Sequence, residues 1–317
     1  MMKNKLIKKD ISIIIPVFNE SLSLKILYSQ CIEAINDIFA NFEIIFIDDG
    51  SFDNSFDILK NISDNDLNVI IIKMNRNYGK SDALNEGFKI AKFDTIVTLD
   101  ADLQDDPEEI PKLVELLYEG WDCVSGWKKN RKDPLSKTIP SSVFNKVMSY
   151  MTGLKIHDLN CGIKAYKKEA IKTLYLYGGL HRYIPLLLVN NGYKITEKIV
   201  KHKPRMHGET KYGNSRFFHG IFDFLTISFL KKYFNRPMYF FGSIGLFLSL
   251  LGFIINIYLT VKWFNGIWIN PSGSPLFFLG ILLIVVGIQS LSIGLLGELI
   301  VSTIKSKDKV NKIINKR

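Results

Sequence analysis

The sequence predicts an α/β fold, a parallel and doubly wound sheet, followed by two helices long enough to cross a membrane. Three observations carry this reading. Short apolar, β-branched runs alternate with helical segments four times in the N-terminal third. Three of those runs stop in polar clusters, Asn19/Glu20, Asp48/Asp49 and Asp100/Asp102. The last third holds two long, almost uncharged stretches, 238–261 and 276–301.

Ile11 to Val17 is near-continuously apolar, the pattern of a strand buried on both faces. Phe18-Asn19-Glu20 is its loop, and Ser21 or Ser23 stands where it can cap a helix running to about Phe39. Glu43 to Ile47 predicts the second strand, ending in Asp48-Asp49-Gly50-Ser51; a helix follows over Phe52 to Ser63, with Asp53 or Asn54 near its cap. Asn68 to Lys73 is the third strand and Ser81 to Ala91 its helix. The fourth strand, from Thr95, breaks into Asp100-Ala101-Asp102-Leu103-Gln104-Asp105-Asp106-Pro107. Asp106 takes the N-cap position and Pro107 the first turn of a helix over Glu108 to Glu119. Trp121 to Gly126 and Lys194 to Lys201 supply further strands.

In open α/β sheets, ligands bind outside the carboxyl ends of the strands, and right-handed crossovers bring those ends to one edge. Three polar strand ends therefore predict a ligand cleft. Asp100 and Asp102, two residues apart, reach one divalent ion if the chain leaves its extended form there. Hard carboxylate oxygens suit Mg²⁺ or Mn²⁺. The same acids also read as a solvated turn with a helix cap. No G-x-G-x-x-G follows the first strand and no G-x-x-x-x-G-K-[ST] occurs, which removes the main support for dinucleotide oxidoreductases and P-loop enzymes. A net charge of +10 points to an anionic partner: nucleic acid, anionic lipid or a phosphorylated substrate. Cys31, Cys123 and Cys161 match no zinc or redox spacing and read as reduced, cytosol-facing thiols. Residues 1–10 carry no secretory-signal pattern.

Four segments together resemble the successive motifs of family 2 glycosyltransferases with the GT-A nucleotide-sugar fold, a Rossmann-like, mostly parallel sheet. They are Ile14-Ile15-Pro16-Val17-Phe18-Asn19-Glu20, Ile47-Asp48-Asp49-Gly50-Ser51, Asn75-Arg76-Asn77-Tyr78-Gly79-Lys80 and Asp100-Ala101-Asp102-Leu103-Gln104. The resemblance implies a nucleotide-sugar donor. It places the base-binding acid on Asp48 or Asp49, base and ribose contacts on Pro16, Val17 and Glu20, and Arg76 and Lys80 beside the nucleotide. Asp100, Asp102 and Gln104 would carry the metal that holds the diphosphate, with Ala101 between them. Glycosyl transfer needs the charge of that leaving group neutralised, which a divalent ion does as a Lewis acid. His157-Asp158-Leu159-Asn160-Cys161-Gly162-Ile163-Lys164 resembles the acceptor-side motif, in which Asp158 acts as base or orients the acceptor and joins Asp102 as a catalytic residue. A basic stretch holding Arg131, and the loop His202 to Gly213 with Arg205 and Lys211, are suited to phosphates.

Residues 216–234 read as an amphipathic helix lying in the membrane interface. The connector 262–275 offers Trp263 and Trp268 as interface anchors. Basic residues before the first span (Lys231, Lys232, Arg236) and after the second (Lys305, Lys307, Lys309, Lys312, Lys316, Arg317) put both flanks in the cytoplasm by the positive-inside rule. Glu298 reads either as snorkelling to the interface or as pairing between subunits. The predicted organisation is a cytosolic catalytic domain over 1–214, an interface helix over 215–236, a transmembrane hairpin over 237–301 and a basic tail over 302–317.

Anchoring at the bilayer suggests a lipid acceptor, and the basic surface suits a lipid phosphate. Two C-terminal helices after the basic loop resemble the bacterial polyprenyl-phosphate (undecaprenyl-phosphate) glycosyltransferases, which are akin to dolichol-phosphate mannose synthase. That resemblance implies a multi-pass protein of the bacterial plasma membrane. It would move a sugar, from UDP-glucose or a related UDP-hexose, onto polyprenyl phosphate for cell-envelope glycans. It also implies Mg²⁺ or Mn²⁺, a homo-oligomer such as a tetramer, and no nucleic-acid partner. Two readings compete. A processive polysaccharide synthase would need a Gln-x-x-Arg-Trp motif, which this sequence lacks, and more spans. A catalytically inactive, membrane-anchored nucleotide-binding protein would have no use for the full set Asp49, Asp100, Asp102 and Asp158.

Overall fold

A computed structural model describes residues 9–129, 156–203, 229, 233, 236–266 and 274–314. The chain divides into two compact units, Met1–Asp223 and Phe224–Arg317.

The first unit is built on seven strands: β1 (Ile11–Val17), β2 (Phe42–Asp48), β3 (Val69–Lys73), β4 (Thr95–Thr98), β5 (Cys123–Trp127), β6 (Lys164–Lys167) and β7 (Ile195–Ile199). They form one sheet in the order β3-β2-β1-β4-β6-β5-β7. Helices α1 (Leu24–Ile35), α2 (Ser55–Asn65), α3 (Lys80–Ile90) and α4 (Ile110–Tyr118) connect the early strands. The short helices α5 (Lys168–Ile171) and α6 (Ile184–Asn190) come later. Ile13, Ile14, Ile15, Ile44, Ile45 and Phe46 are all fully buried, as the unbroken apolar runs of β1 and β2 require. Burying each such side chain contributes about 1.5–3 kcal/mol.

β1 pairs in parallel with β2 and β4, and β2 with β3, so the three polar strand ends do meet on one edge. The sheet is mostly parallel, as expected, and the exception is β6, which runs antiparallel to both β4 and β5. Alternation of side chains reports burial, not direction, so no local pattern could reveal this. The reversal matters for the site. With Thr98 opposite Lys164, β6 starts where β4 ends, and its entry segment Asp158–Ile163 arrives at the functional edge.

Two helix starts differ from the local expectation. Asp106 does cap its helix, accepting from the Glu108 N–H at 3.3 Å, but the first turn, Pro107–Glu109, is 3-10 before α4 begins. Ser23 precedes α1 without capping it. Its hydroxyl instead donates to the carbonyls of Glu20 (2.9 Å) and Ala101 (2.6 Å), tying the β1 loop to the β4 end.

The second unit holds α7 (Pro237–Phe264) and α8 (Pro275–Ile314). Both contain segments long and apolar enough to cross a membrane. A Cβ on Gly245 would stand 2.6 Å from the Gly287 carbonyl oxygen, and one on Gly252 2.5 Å from that of Gly280. Small residues thus let the two backbones approach, as in membrane helix pairs. Phe247, Ile254 and Leu299 point outward, each more than half exposed. Glu298 turns its Oε2 to the backbone N–H of Met238 at 3.5 Å, in the first turn of α7, where a helix dipole favours an anion. The predicted interface helix lies almost wholly outside the described residues, as do Trp268 and the residues after Ile314.

Candidate active site

One end of the candidate site is assembled where β1, β2 and β3 finish. Asp49 donates its N–H to the Val17 carbonyl at 2.8 Å, and its two carboxylate oxygens accept the N–H groups of Tyr78 and Gly79, each at 2.8 Å. Burial pushes the Asp49 carboxyl up, and those two N–H donors oppose the shift. Asp49 therefore holds the Asn75–Gly79 loop against β2. Its neighbour Asp48 is fully buried, with Oδ1 accepting from Ser51 N–H at 3.0 Å. Asp48 Oδ2 has no hydrogen-bond partner among the described residues. Between them and the loop, Gly50 adopts φ +70°, and a Cβ there would sit 2.7 Å from both Arg76 Cα and Asn77 N. Only glycine meets both conditions.

An open cleft of about 570 Å³ lies along this edge, lined by Gly50, Ser51, Phe52, Lys73, Asn75 and Arg76 among others. Phe52 stands 81% exposed, edge-on to Phe18 with ring centroids 5.3 Å apart. The Arg76 guanidinium lies over the Tyr78 ring at 4.6 Å. Val17 and Ala101 are buried, while Pro16 and Glu20 are half-buried.

The other end of the site is a knot of opposite charges. Lys80, the first residue of α3, pairs with Asp100 at the end of β4. Burial alone pushes the Asp100 carboxyl up, but Lys80, with Lys128 and Lys164 behind it, holds it down at about 2. Asp105 is fully buried and pairs with Lys128 at 2.6 Å. Its Oδ2 and that of Asp100 (2.5 Å) both face the point where a Cβ on Gly162 would be. Lys164 is buried; its ammonium donates to the Cys161 carbonyl, and burial lowers its pKa. Asp102 Oδ1 accepts from Gln104 N–H at 3.2 Å across Leu103, whose φ is +62°. The Gln104 carbonyl accepts from Lys203 N–H at 3.0 Å, and Asp105 bridges to His202. Asp158 is buried, with Oδ1 accepting from Asn160 N–H at 3.2 Å. The segment that follows it, residues 160–163, brings Gly162 against the Asp100 and Asp105 carboxylates.

The structure thus brings Asp48, Asp49 and Arg76 to one end and Lys80 and Asp100 to the other. Arg131, Arg205 and Lys211 lie outside the described residues. Asp105 and Lys128 escaped the sequence reading. Asp105 stands in a run of acids that looks like a solvated turn, and only its burial reveals it. Lys128 is one of many lysines.

Could a divalent ion bind here? Among the described residues no three His, Cys, Asp or Glu side chains form a cage. Mg²⁺, however, is usually held by one or two carboxylates plus substrate phosphates. Asp100, ionised at any ordinary pH, and the nearby Asp102 fit that donor set of hard oxygens.

His181 adds a pH signature. Its Nδ1 stands 3.0 Å from the Ser81 hydroxyl, and burial, with Lys80, Arg182 and Lys164 nearby, pushes its pKa well below the ordinary 6.5. Below about pH 6.5 the unfolded chain takes up a proton that the folded one refuses, so this contribution to stability is lost as pH falls. The melting temperature of the purified protein is expected to drop on acidification below that point. His181→Asn should flatten the slope, and an unchanged slope would show that His181 is not the group responsible.

Comparison with known proteins places these features in context. Residues 12–175 match the profile of the family described as "Glycosyl transferase family 2". A dodecaprenyl-phosphate galacturonate synthase of Rhizobium johnstonii is 37% identical over 301 residues, covering 93% of this chain and 88% of that protein. An undecaprenyl-phosphate 4-deoxy-4-formamido-L-arabinose transferase of Aeromonas hydrophila is 34% identical, covering 92% of this chain and 88% of that one. Among solved structures, glucosyl-3-phosphoglycerate synthase of Mycobacterium tuberculosis in complex with Mn²⁺, UDP and glucosyl-3-phosphoglycerate matches with TM-score 0.55. That match is 14% identical and covers 70% of this chain and 80% of that one, a likeness of fold.

Proposed function

The chain belongs to glycosyl transferase family 2, and from that premise we propose that it moves a sugar from a nucleoside diphosphate, a UDP-hexose such as UDP-glucose or a related UDP-sugar, to polyprenyl phosphate. One observation carries the reading. A cleft at the carboxyl ends of β2 and β3, and paired lysines and carboxylates where the neighbouring β4 ends, occur on a chain that also has two membrane-length helices. The names of the relatives support the lipid phosphate as acceptor.

Within this reading each residue has a task. The base-binding acid is Asp48 or Asp49, and Asp49 also shapes the loop that closes the base site. Arg76 and Lys80 lie along the nucleotide, with Pro16, Val17, Glu20 and Ala101 as its walls. Asp100 and Asp102, with Gln104, would hold Mg²⁺ or Mn²⁺, which when bound neutralises the departing diphosphate. Lys80 then stands ready for a diphosphate oxygen once Asp100 takes another partner. Asp158 orients the acceptor or takes its proton; a phosphate nucleophile that is already anionic makes the orienting role sufficient. Arg131, Arg205 and Lys211 belong to the acceptor phosphate. The catalytic unit faces the cytoplasm at the bacterial plasma membrane, as the distribution of lysines and arginines favours, and the enzyme works as a homo-oligomer such as a tetramer.

The test is a donor panel. Full-length protein in membranes is incubated with Mg²⁺ or Mn²⁺, undecaprenyl phosphate and radiolabelled UDP-sugars spanning neutral, N-acetylated and uronic acid types. One donor is expected to yield a lipid-linked monosaccharide, lost on chelation with EDTA. A polymeric product would instead favour a synthase, and no lipid-linked product with any donor would overturn the proposal.

A further inference from the structure

A carboxylate from the edge of the sheet holds the segment that carries Asp158. β7 is the last strand in the order, and its Glu197 lies in register with Ser125 of β5, as Ile199 does with Trp127. Although it sits on an edge strand, the Glu197 side chain is only 8% exposed. The His157 N–H donates to both of its oxygens, at 2.9 and 2.8 Å. The Asp158 N–H donates to Oε1 at 2.9 Å, and the His157 ring Nδ1 lies 2.9 Å from Oε2. The imidazole in turn stacks on the Trp127 indole, 4.0 Å between centroids and 12° from parallel.

Two consecutive backbone N–H groups on one carboxylate fix the peptide between His157 and Asp158 in position and tilt. The ring contact adds a third point. Hydrogen bonds to an ionised acceptor are roughly twice as strong as neutral ones. The Asp158 side chain leaves this clamped backbone into a buried setting, where its Oδ1 accepts from the Asn160 N–H at 3.2 Å. Glu197 reaches no part of the donor cleft itself, whose lining is β2–β3 sequence.

We propose that Glu197 is a positioning residue for the transfer step: it sets the backbone of His157–Asp158, and through it the placement of the Asp158 carboxylate against the acceptor. This rests on the reading of Asp158 given above. Glutamine is the informative replacement, because it keeps the size but offers a single acceptor oxygen and turns an NH₂ group toward N–H donors.

The experiment is a double-mutant cycle in full-length protein in membranes, with undecaprenyl phosphate and the UDP-sugar that gives product in the panel. Glu197→Gln is expected to lower kcat by about 10²-fold, the cost of misplacing a reacting group by about 1 Å. The KM for the UDP-sugar and the affinity for UDP should not move. In an Asp158→Asn background, Glu197→Gln should cost nothing more, because residues acting as one unit are not additive. Glu197→Asp, which keeps the charge but withdraws it by one methylene, should recover part of the rate, and it carries the same cycle if Glu197→Gln fails to accumulate. Losses that multiply across the two positions, or a Glu197→Gln enzyme as fast as wild type beside an inactive Asp158→Asn, overturn the inference. An Asp158→Asn enzyme at the wild-type rate instead removes the role of Asp158, and the positioning of it falls too.

Discussion

Replacing Asp100 by Asn is expected to reduce sugar transfer by about 10²–10³-fold, the scale seen when a charge-stabilising group is removed from an active site. The structure makes the expectation specific. Asp100 balances Lys80 directly and Lys128 and Lys164 through space, which is why its carboxyl is held at about 2 despite burial. An amide leaves those ammonium groups repelling one another around a site that must receive a diphosphate in a fixed pose. It also removes a hard oxygen from the donor set proposed for the divalent ion, and it turns either an N–H or a second carbonyl toward Asp105 Oδ2. Initial rates with the active UDP-sugar, measured on membranes carrying equal amounts of wild-type and variant protein, decide the matter. A loss of tenfold or less, with membrane insertion unchanged, would count against Asp100 as the centre of the charge knot.

The second large effect is expected at Gly50. Alanine there must adopt φ near +70°, which costs an L-residue roughly 1–2 kcal/mol. The added Cβ would also stand 2.7 Å from Arg76 Cα and Asn77 N, which are main-chain atoms that move only with the loop. That loop is the one Asp49 grips through Tyr78 and Gly79, so strain at Gly50 works against two buried hydrogen bonds. A total destabilisation of about 3 kcal/mol is expected, lowering the melting temperature by about 6–12 °C for a unit of this size. UDP binding should weaken alongside it, because the displaced residues line the cleft. A Gly50→Ala protein that melts with wild type and binds UDP equally well would show that the loop yields without cost.

These two predictions differ in where they come from. Gly50 follows Asp48-Asp49 at a strand end that the sequence marks; its positive φ and the backbone it faces belong to the fold. Asp100 looked from sequence like a metal ligand or a capped acidic turn, and no spacing rule names Lys80 as its partner. Residues twenty positions apart meet there because α3 begins and β4 ends on the same edge. Asp105 shows the same thing more sharply: flanked by Gln104 and Asp106 it reads as one more surface acid, yet it is fully buried against Lys128.

What was legible along the chain is what each segment must satisfy alone. Apolar runs had to be buried, polar residues had to end them, Asp106 and Pro107 had to open a helix, and two almost uncharged stretches had to find a bilayer-like setting. These demands act over one or two turns of chain, so composition and period express them. The direction of β6, the grip of Asp49 on the Tyr78–Gly79 backbone and the clamp of Glu197 on His157 and Asp158 belong to the folded chain. Each joins groups from 29 to 72 positions apart. Hydrogen bonds and charges act over a few ångströms of space, and only the packed sheet sets which distant residues come that close.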